Sequence, residues 1–452
     1  MWLFREMRKD LARRAPHYSS DWTDGLSAKV LSASLFMFCT SIAPAITFAG
    51  DMVQNTNENG VAQIGPPEVL LSTALTGIIF SIFAGQPLCV VGVTGPVAVF
   101  TKVLFDICKA LRIQFLPFYG WVQIWSALMH LTLAATNACS AISLVSRFAC
   151  ETFGMLIALI YIYTGIRNLV GYFNDVEREA ALLSLLLGLG TAWLALVLSG
   201  SRKWSFFNPS VRAAIADYAA TVAVLAFCML PDIVILAGGN VDQSSFFRLG
   251  TNTTHGLGLV VLDVPSTFGP TATGRSWLVD LFVCPIAYIL LASIPGFFLT
   301  VLFFFDHNVS SLLCQASEFG LKKGTAYHWD FAIVGIQVFI TGLLGIPPVN
   351  GLIPQAPLHT DSLCEKGFKK DDESGIEEEV VLKVHEQRVS NLSQALLIGG
   401  VLPFIKVVGL LPCAVLDGLF VYMGKRAHAQ CPTLNTTLTA CCMLSLSVCV
   451  CC

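Results

Sequence analysis

Long apolar runs separated by short polar connections dominate the hydrophobic pattern of this chain. A transmembrane helix needs about 20 mostly apolar residues, and a series of runs approaches that length. They are predicted at 30–49, 67–84, 95–113, 120–142, 148–170, 179–199, 213–237, 292–314, 330–347, 392–411 and 412–424. A further apolar stretch, 277–291, is predicted to lie at the membrane interface. The pattern therefore predicts an all-α, polytopic membrane protein.

The polar connections predict which side of the membrane each one faces. Residues 1–25 are basic, and the loops 200–212 and 316–328 also carry lysine or arginine, so all three are predicted to be cytosolic. The long connection 238–276 has few cations and is predicted to be external. It contains a sequon at Asn252, which makes this residue a candidate glycosylation site.

Composition agrees with a membrane setting and narrows the class of protein. The chain is 55% hydrophobic and 13% charged, whereas a soluble domain carries about 25% charge. The net charge of −3 gives no basis for nucleic-acid binding. Cysteines before position 430 are scattered singly, so neither a metal site nor a cofactor is expected. The most polar stretch, 365–390, is predicted to be a solvated cytosolic loop.

Motifs of nucleotide-driven transport and of catalysis are absent from the sequence. Walker A, GxSxG and HExxH patterns do not occur. We therefore predict a secondary transporter rather than an enzyme. A channel is the weaker alternative, because no ring of charges or repeated filter sequence is visible.

Two apolar runs are interrupted by glycine and proline at what should be mid-membrane depth. The first break runs over 85–96 and the second over 345–359. Pro96 is predicted to open a new helix, with Thr94 capping its free N–H groups, and a short helix is predicted to start near Pro354. Unwound backbone at this depth is tolerated only where it lines a protein-buried or watery cavity.

Breaks in separate halves of a chain point to the substrate site of an inverted-repeat transporter. Each new helix presents its positive end, so two of them could hold an anion through backbone N–H groups and dipoles. The candidate substrate-binding residues at these breaks are Thr94, Gly95, Pro96, Pro354 and Gln355, with Gln86 and His359 as weaker candidates. A lone histidine such as His359 is more often a structural group.

Asp306 is a carboxyl group between phenylalanines and a long apolar run. A carboxylate in that setting needs a partner or a proton. Ionised, it would repel an anion bound beside it, whereas protonated it would admit the anion. Asp306 is therefore predicted to bind substrate and to couple anion to proton. The alternative is a helix-packing carboxylate bonded to a neighbouring hydroxyl or backbone group.

At these residues the chain resembles the bicarbonate and borate transporter family, which includes the erythrocyte anion exchanger. The resemblance covers about 20–424 and rests on four motifs in order. They are Gln86-Pro87-Leu88 with Gly92-Val93-Thr94-Gly95-Pro96, then Phe304-Phe305-Asp306-His307-Asn308-Val309, then Tyr327-His328-Trp329-Asp330, and finally Asn350 to Thr360. The last is similar to the tenth-helix motif of the borate branch.

The resemblance implies a transporter domain at 26–424, after a cytosolic arm at 1–25, built on the family's pair of inverted seven-helix repeats with the last two helices missing. It implies a core domain at about 26–142 and 292–411 and a gate domain at about 148–237 and 412–424. The anion would bind between the starts of the third and tenth helices, beside Asp306. Transport would be an elevator-like movement of core against gate, in a homodimer built through the gate domains, in a lipid bilayer expected to be the plasma membrane.

Two differences favour the borate branch. Animal chloride–bicarbonate exchangers place an arginine where this chain has Gln355, and they carry a large cytosolic N-terminal domain. The neutral donors and acceptors of Gln355 and Thr94 suit a hydroxyl-rich borate. We therefore expect borate efflux, with a bicarbonate or chloride exchanger as the alternative.

The likeness stops after Gly424, and the Cys-rich segment 425–452 does not resemble the last two gate helices. We expect a frameshifted, misspliced or truncated gene model there, with palmitoylated cysteines as a second explanation. If the segment is genuine, the gate is incomplete. A truncated paralogue that does not transport and acts only as a partner is then a further alternative.

Overall fold

A computed structural model describes residues 3–58, 60–144, 147–238, 259–261, 264, 268–272, 274–370, 377–409 and 411–429. Its helices are α1 (Arg5–Arg14), α2 (Tyr18–Thr23), α3 (Ala28–Asn55), α4 (Pro66–Phe83), α5 (Gly95–Leu111), α6 (Phe115–Ala135), α7 (Arg147–Asp175), α8 (Arg178–Ser199), α9 (Pro209–Asp217), α10 (Ala219–Gly238), α11 (Ile286–Leu291), α12 (Ser293–Cys314), α13 (Tyr327–Leu344), α14 (Gln355–Ser362), α15 (Val389–Val401), α16 (Ile405–Val408) and α17 (Cys413–Ala429). The prediction of an all-α membrane protein is confirmed.

Short strands accompany the helices. They are β1 (Asn57–Glu58), β2 (Val61–Ala62), β3 (Val91–Gly92), β4 (Asn350–Gly351), β5 (Cys364–Lys370) and β6 (Glu377–Val384). They pair antiparallel as β1 with β2, β3 with β4, and β5 with β6. Of these pairs, β3 with β4 joins segments from separate halves of the sequence.

Six helical segments in the described residues are long and apolar enough to cross a membrane. They are Ala28–Asn55, Pro66–Phe83, Gly154–Asn174, Arg178–Ser199, Ile286–Phe319 and Tyr327–Leu344. The predicted span 213–237 is instead a bent pair, in which Pro209–Asp217 meets Ala219–Pro231 at 61°. The helices on three other predicted spans are short, since α5, α15 and α17 have 17, 13 and 17 residues.

Residues before α3 fold into helices that pack onto the rest of the chain. Asp21, in α2, is fully buried and accepts hydrogen bonds from Arg14 (3.1 Å), Arg388 (3.0 Å) and Lys323 (2.9 Å). The predicted arm 1–25 is therefore a folded part of the protein; which side of the membrane it faces stays a prediction.

The prediction of a solvated loop at 365–390 is wrong for the end of that stretch. It opens with the hairpin of β5 and β6, but Glu386, Gln387 and Arg388 are buried. Arg388 is drawn inward because it bonds Asp21 and also donates to the carbonyl oxygen of Ser81 at 3.0 Å. A charged residue is buried here because its partners are buried with it.

Helix packing in the described chain forms two main groups. In one, α13 and α12 pack on α6, and α15 packs on α3 and α4. In the other, α17 packs on α7 and α8, and α10 packs on α8. Contacts of α3 and α14 with α17 join the groups. The core and gate bounds given above stay a prediction.

Small residues allow the helices of the second group to approach closely. A Cβ at Gly418 in α17 would collide with the carbonyl oxygen of Gly188 in α8, and a Cβ at Gly165 in α7 would lie 2.7 Å from the carbonyl oxygen of Asp417. In membranes, such close backbone contact replaces the hydrophobic driving force between helices.

We predict that Gly418→Val destabilises the protein by about 1–3 kcal/mol or more, because an overpacked interface must separate α17 from α8. The measurement is the monodisperse fraction left after heating, read by size-exclusion chromatography. Gly171→Val in α7 is the matched control, since a Cβ there meets nothing within 4 Å. Equal loss in both variants would show that helix propensity, and not this contact, sets the effect.

Candidate anion site

The first break, between α4 and α5, is held by side chains from the distant part of the chain. The Asp330 carboxylate accepts the backbone N–H groups of Gly85 (2.5 Å) and Gln86 (3.1 Å). The side-chain amide of Asn391 donates to the carbonyl oxygens of Pro87 (3.0 Å) and Cys89 (2.9 Å). Unwound backbone is therefore satisfied by protein groups, as it must be where water is excluded.

His359 and Gln86 bond to backbone groups of this break, and neither is among the residues that line the cavity described below. His359 Nδ1 donates to the carbonyl oxygen of Leu88 at 2.8 Å, so its Nε2 accepts from the Ser390 hydroxyl at 2.6 Å. Gln86 Oε1 accepts from Leu88 N at 3.3 Å. This geometry fits a structural role for both residues.

The second break, between α13 and α14, begins where Gly345 adopts φ +61°, a conformation that glycine takes without strain. Ile346 N then bonds back to the carbonyl oxygen of Thr341 at 3.1 Å and closes the helix end. The next carbonyl oxygens accept from side chains: Gln123 Nε2 donates to Ile346 O at 3.1 Å, and the Ser72 hydroxyl donates to Pro347 O.

Pairing of β3 with β4 brings the two breaks together. Val91 is opposite Gly351 and Gly92 is opposite Asn350, and Leu352 N donates to Val90 O at 2.8 Å. A Cβ at Gly351 would lie 2.9 Å from the Cβ of Ser310 in α12, so only glycine lets the paired strands lie against this helix. The starts of α5 and α14 therefore lie at the same place beside α12.

A cavity opens at this junction. Its lining residues are Phe48, Thr94, Gly95, Pro96, Ile157, Ile160, Tyr161, Thr164, Asp306, Gly351, Leu352, Ile353, Pro354 and Phe420. Neither lysine nor arginine is among the described residues that line it. Any anion here would be held by N–H groups, hydroxyls and helix dipoles.

Thr94, Gly95 and Pro96 line the cavity, with Gly95 as the first residue of α5. The prediction that Thr94 caps α5 is wrong. Its hydroxyl makes no cap hydrogen bond and has no partner among the described residues. One of the two N–H groups that a cap would receive is missing because Pro96 has none. The hydroxyl remains available to a bound solute.

Pro354 lines the cavity and Gln355 lies behind it. Gln355 is the first residue of α14 and is fully buried. Its Nε2 donates to the Tyr161 hydroxyl (3.2 Å) and to the carbonyl oxygen of Thr40 (3.3 Å). Gln355 is therefore placed to act on a solute through Tyr161.

Asp306 lines the same cavity from α12 and is 3% exposed. The Asn350 side chain of β4 lies near its carboxyl group, and the Asn350 Nδ2 makes no hydrogen bond to the described residues. Asn350 is fixed from the other end, because its Oδ1 accepts Gly351 N at 2.8 Å. The structure thus places a carboxyl group, two helix starts and a paired break around one small space.

Tyr161 and Thr164, both in α7, also line the cavity, and the sequence reasoning missed them. The signal that could have found them is a pair of polar residues three apart on one face of an otherwise apolar helix. Asn252, the predicted glycosylation site, lies outside the described residues.

A family model for the HCO3⁻ transporter integral membrane domain matches residues 2–177 and 172–431. Boron transporter 1 of Saccharomyces cerevisiae is 36% identical over 428 residues, which cover 92% of this chain and 68% of that protein. The Band 3 anion transport protein of Homo sapiens is 29% identical over 446 residues, covering 93% of this chain and 46% of that protein. Among solved structures, the transmembrane domain of a cyanobacterium bicarbonate transporter, BicA, aligns with a TM-score of 0.52 and 17% identity over 89% of this chain and 90% of that chain, which shows a shared fold.

We predict that Asn391→Ala destabilises the protein by about 1–3 kcal/mol, because two buried carbonyl groups of the first break lose their donor. Thermal unfolding of the purified protein checks the change. Asn208→Ala is the matched control, since Asn208 is exposed and its side chain makes no cap bond. If both variants unfold alike, the Asn391 amide is not what holds the break.

Proposed function

The chain belongs to the family of bicarbonate and borate anion transporters, and we propose that it is a secondary active transporter that moves borate out of the cell, coupled to protons through Asp306. The observation that carries the proposal is the junction of the two helix starts with Asp306 around a cavity that no lysine or arginine of the described chain lines. We take the candidate residues Thr94, Gly95, Pro96, Asp306 and Pro354 as its anion site, with Gln355 acting through Tyr161.

Magnitudes favour proton coupling. A helix N-terminus stabilises a nearby anion by about 0.3–1 kcal/mol, rising to about 2 kcal/mol in partly buried geometry. An ionised Asp306 roughly 4 Å from a monovalent anion would oppose it by about 4 kcal/mol at an effective dielectric constant near 20. Two helix starts therefore do no more than balance one carboxylate. Protonation of Asp306 would decide whether the anion stays.

Borate is favoured by the polar groups of the cavity. A tetrahydroxy anion both donates and accepts hydrogen bonds, so it suits the hydroxyls of Thr94, Tyr161 and Thr164 and the carboxyl group of Asp306. Chloride has no proton to donate, so of these groups it could use only the hydroxyls, as hydrogen-bond donors to itself. Similarity to boron transporter 1 of Saccharomyces cerevisiae supports the same choice.

Exchange of bicarbonate for chloride is the second candidate function. The family model is described for HCO3⁻ transport, and the human Band 3 protein is an anion transport protein that covers 93% of this chain. Bicarbonate would use the same N–H groups and hydroxyls. Flux measurements, and not the shape of the cavity, therefore distinguish borate from bicarbonate as the substrate.

Movement and assembly belong to the proposal as well. The cavity takes lining residues from α3, α5, α12 and the segment 351–354 before α14 on one side, and from α7 and α17 on the other. Sliding of the first group against the second would open the cavity to either side of the membrane. We retain a homodimer through α7, α8, α10 and α17, and a plasma-membrane location, as predictions.

Parallel flux measurements in proteoliposomes test the substrate. We expect boron to move at least about tenfold faster than in protein-free vesicles when a pH gradient is imposed, while labelled bicarbonate and chloride exchange slowly. Rapid bicarbonate flux without boron flux would identify bicarbonate, and not borate, as the substrate. Absence of all three fluxes from correctly folded protein would contradict transport.

Asp306→Asn tests the coupling. The variant imitates the protonated carboxyl group, so we expect boron flux that no longer responds to an imposed pH gradient, with the gradient-driven rate falling by about tenfold or more. Asp106→Asn is the control, because Asp106 is exposed on α5 and lies away from the cavity lining. A variant at position 306 that keeps the pH response of the unaltered protein would remove Asp306 from the coupling.

A further inference from the structure

A second pocket lies at one end of the helix bundle and shares no lining residue with the central cavity. Its walls come from the start of α3, the turn 200–203, the end of α9, the junction of α14 with β5, and the end of α17. It therefore lies where elements of both helix groups meet. The turn 200–203 belongs to a basic loop, so the positive-inside rule predicts that this pocket faces the cytosol.

The pocket is strongly cationic. Arg202, Lys203, Lys366 and Arg426 line it together with two carboxylates, and Lys29 pairs with one of these. Five cations and two carboxylates leave a net charge of +3. Partly buried charges of one sign focus the local potential on the space between them, which favours a multivalent anion over a monovalent one.

Ion pairs inside the pocket fix the cations without neutralising them. Asp217 accepts from Lys29 at 2.7 Å and from Arg202 at 2.6 Å. Asp361 pairs with Lys366 and accepts from Arg426 at 2.9 Å. Each carboxylate is shared by two cations, so each group of three keeps a charge of +1 in a fixed position.

Exposed aromatic residues follow the basic turn directly. Trp204 stacks on Phe206 with ring centroids 4.9 Å apart, and Phe206 and Phe207 are 55% and 61% exposed. Such side chains lie at the level of lipid headgroups. Arg212 donates to the carbonyl oxygen of Trp204 and so ties this aromatic turn to α9. The mouth of the pocket is thus expected at the membrane–water interface.

We propose that this pocket binds a phosphate monoester group, and that the natural source is the headgroup of an anionic phospholipid in the cytosolic leaflet. Guanidinium groups bind phosphate oxygens through paired N–H donors, and the ammonium of Lys203 adds a point charge. Basic pockets between membrane helices on this side recognise phosphorylated headgroups in this way. A bound phosphate would bridge α3 and α14 to α9 and α17, so its presence would hold the two helix groups together.

The test is calorimetric titration of the purified full chain in uncharged detergent, which requires no transport. The probes are short-chain phosphatidylinositol bisphosphate, soluble inositol trisphosphate, inorganic phosphate and short-chain phosphatidylcholine. We expect saturable binding of the bisphosphate lipid and none of phosphatidylcholine. The double variant Lys203→Gln/Lys366→Gln should bind the lipid about tenfold more weakly or worse, since each cation near the surface contributes about 1 kcal/mol.

A matched charge loss outside the pocket controls for general attraction. Lys9→Gln/Lys322→Gln removes two lysines from basic segments also assigned to the cytosol and should leave affinity within about twofold. Lys203→Glu alone is a second variant that keeps both ion-pair groups intact, because Lys203 is exposed and belongs to neither. It should also weaken binding.

The outcomes separate the sources of phosphate and decide the proposal. Binding of the lipid without binding of inositol trisphosphate supports a membrane source, whereas equal binding of both supports a soluble polyphosphate at the same site. Equal loss in the pocket and control variants would overturn the proposal, as would the absence of binding by every phosphate probe. Neither result bears on boron flux, so the proposed transport function stands or fails separately.

Discussion

Backbone that leaves helical geometry inside a bilayer must have its N–H and C=O groups paired within the protein, and the candidate site of this chain depends on that constraint. At the first break, Asp330 receives the free N–H groups and Asn391 supplies donors to the free carbonyls. At the junction, β3 and β4 satisfy each other. A helix start can face a cavity only because the rest of each break is already paired.

The two helices that end at the breaks are capped in the same way, each by an arginine. Arg388 donates to carbonyl oxygens at the end of α4 and pairs with Asp21, whereas Arg275 donates to carbonyl oxygens at the end of α13 and pairs with Glu68. A cation stabilises the negative end of a helix, and a buried cation needs a buried acid. In both arrangements an acid from the first half of the chain pairs with an arginine from the second half, beside a helix end at one of the breaks. They also explain why the residues around Asp21 and Arg388 are buried although their sequence is polar.

The sequence was informative where chemistry is local and uninformative where it is long-range. Glycine and proline within apolar runs located both breaks, and an isolated carboxyl group among phenylalanines located Asp306. The partners of the breaks could not be predicted, since Asp330 lies 245 residues from Gly85 along the chain. Burial of Arg388 also depends on residues far away in sequence. The Thr94 cap fails for a local reason, because Pro96 lacks one of the N–H groups that a cap would accept.

The bond from Gln355 to Tyr161 is a polar contact between the two helix groups beside the cavity. Tyr161 also packs edge to face on Phe420 of α17, with ring centroids 5.0 Å apart, so its position is fixed from the α17 side. Gln355 is fixed from the α3 side through Thr40. Any sliding of one group past the other must break this bond or carry the tyrosine out of its aromatic contact. A solute whose hydroxyls can replace the Gln355 amide as a partner of Tyr161 would lower the free energy of that step, whereas an ion without hydrogen-bond donors would not. Selectivity and movement would then depend on the same hydroxyl group.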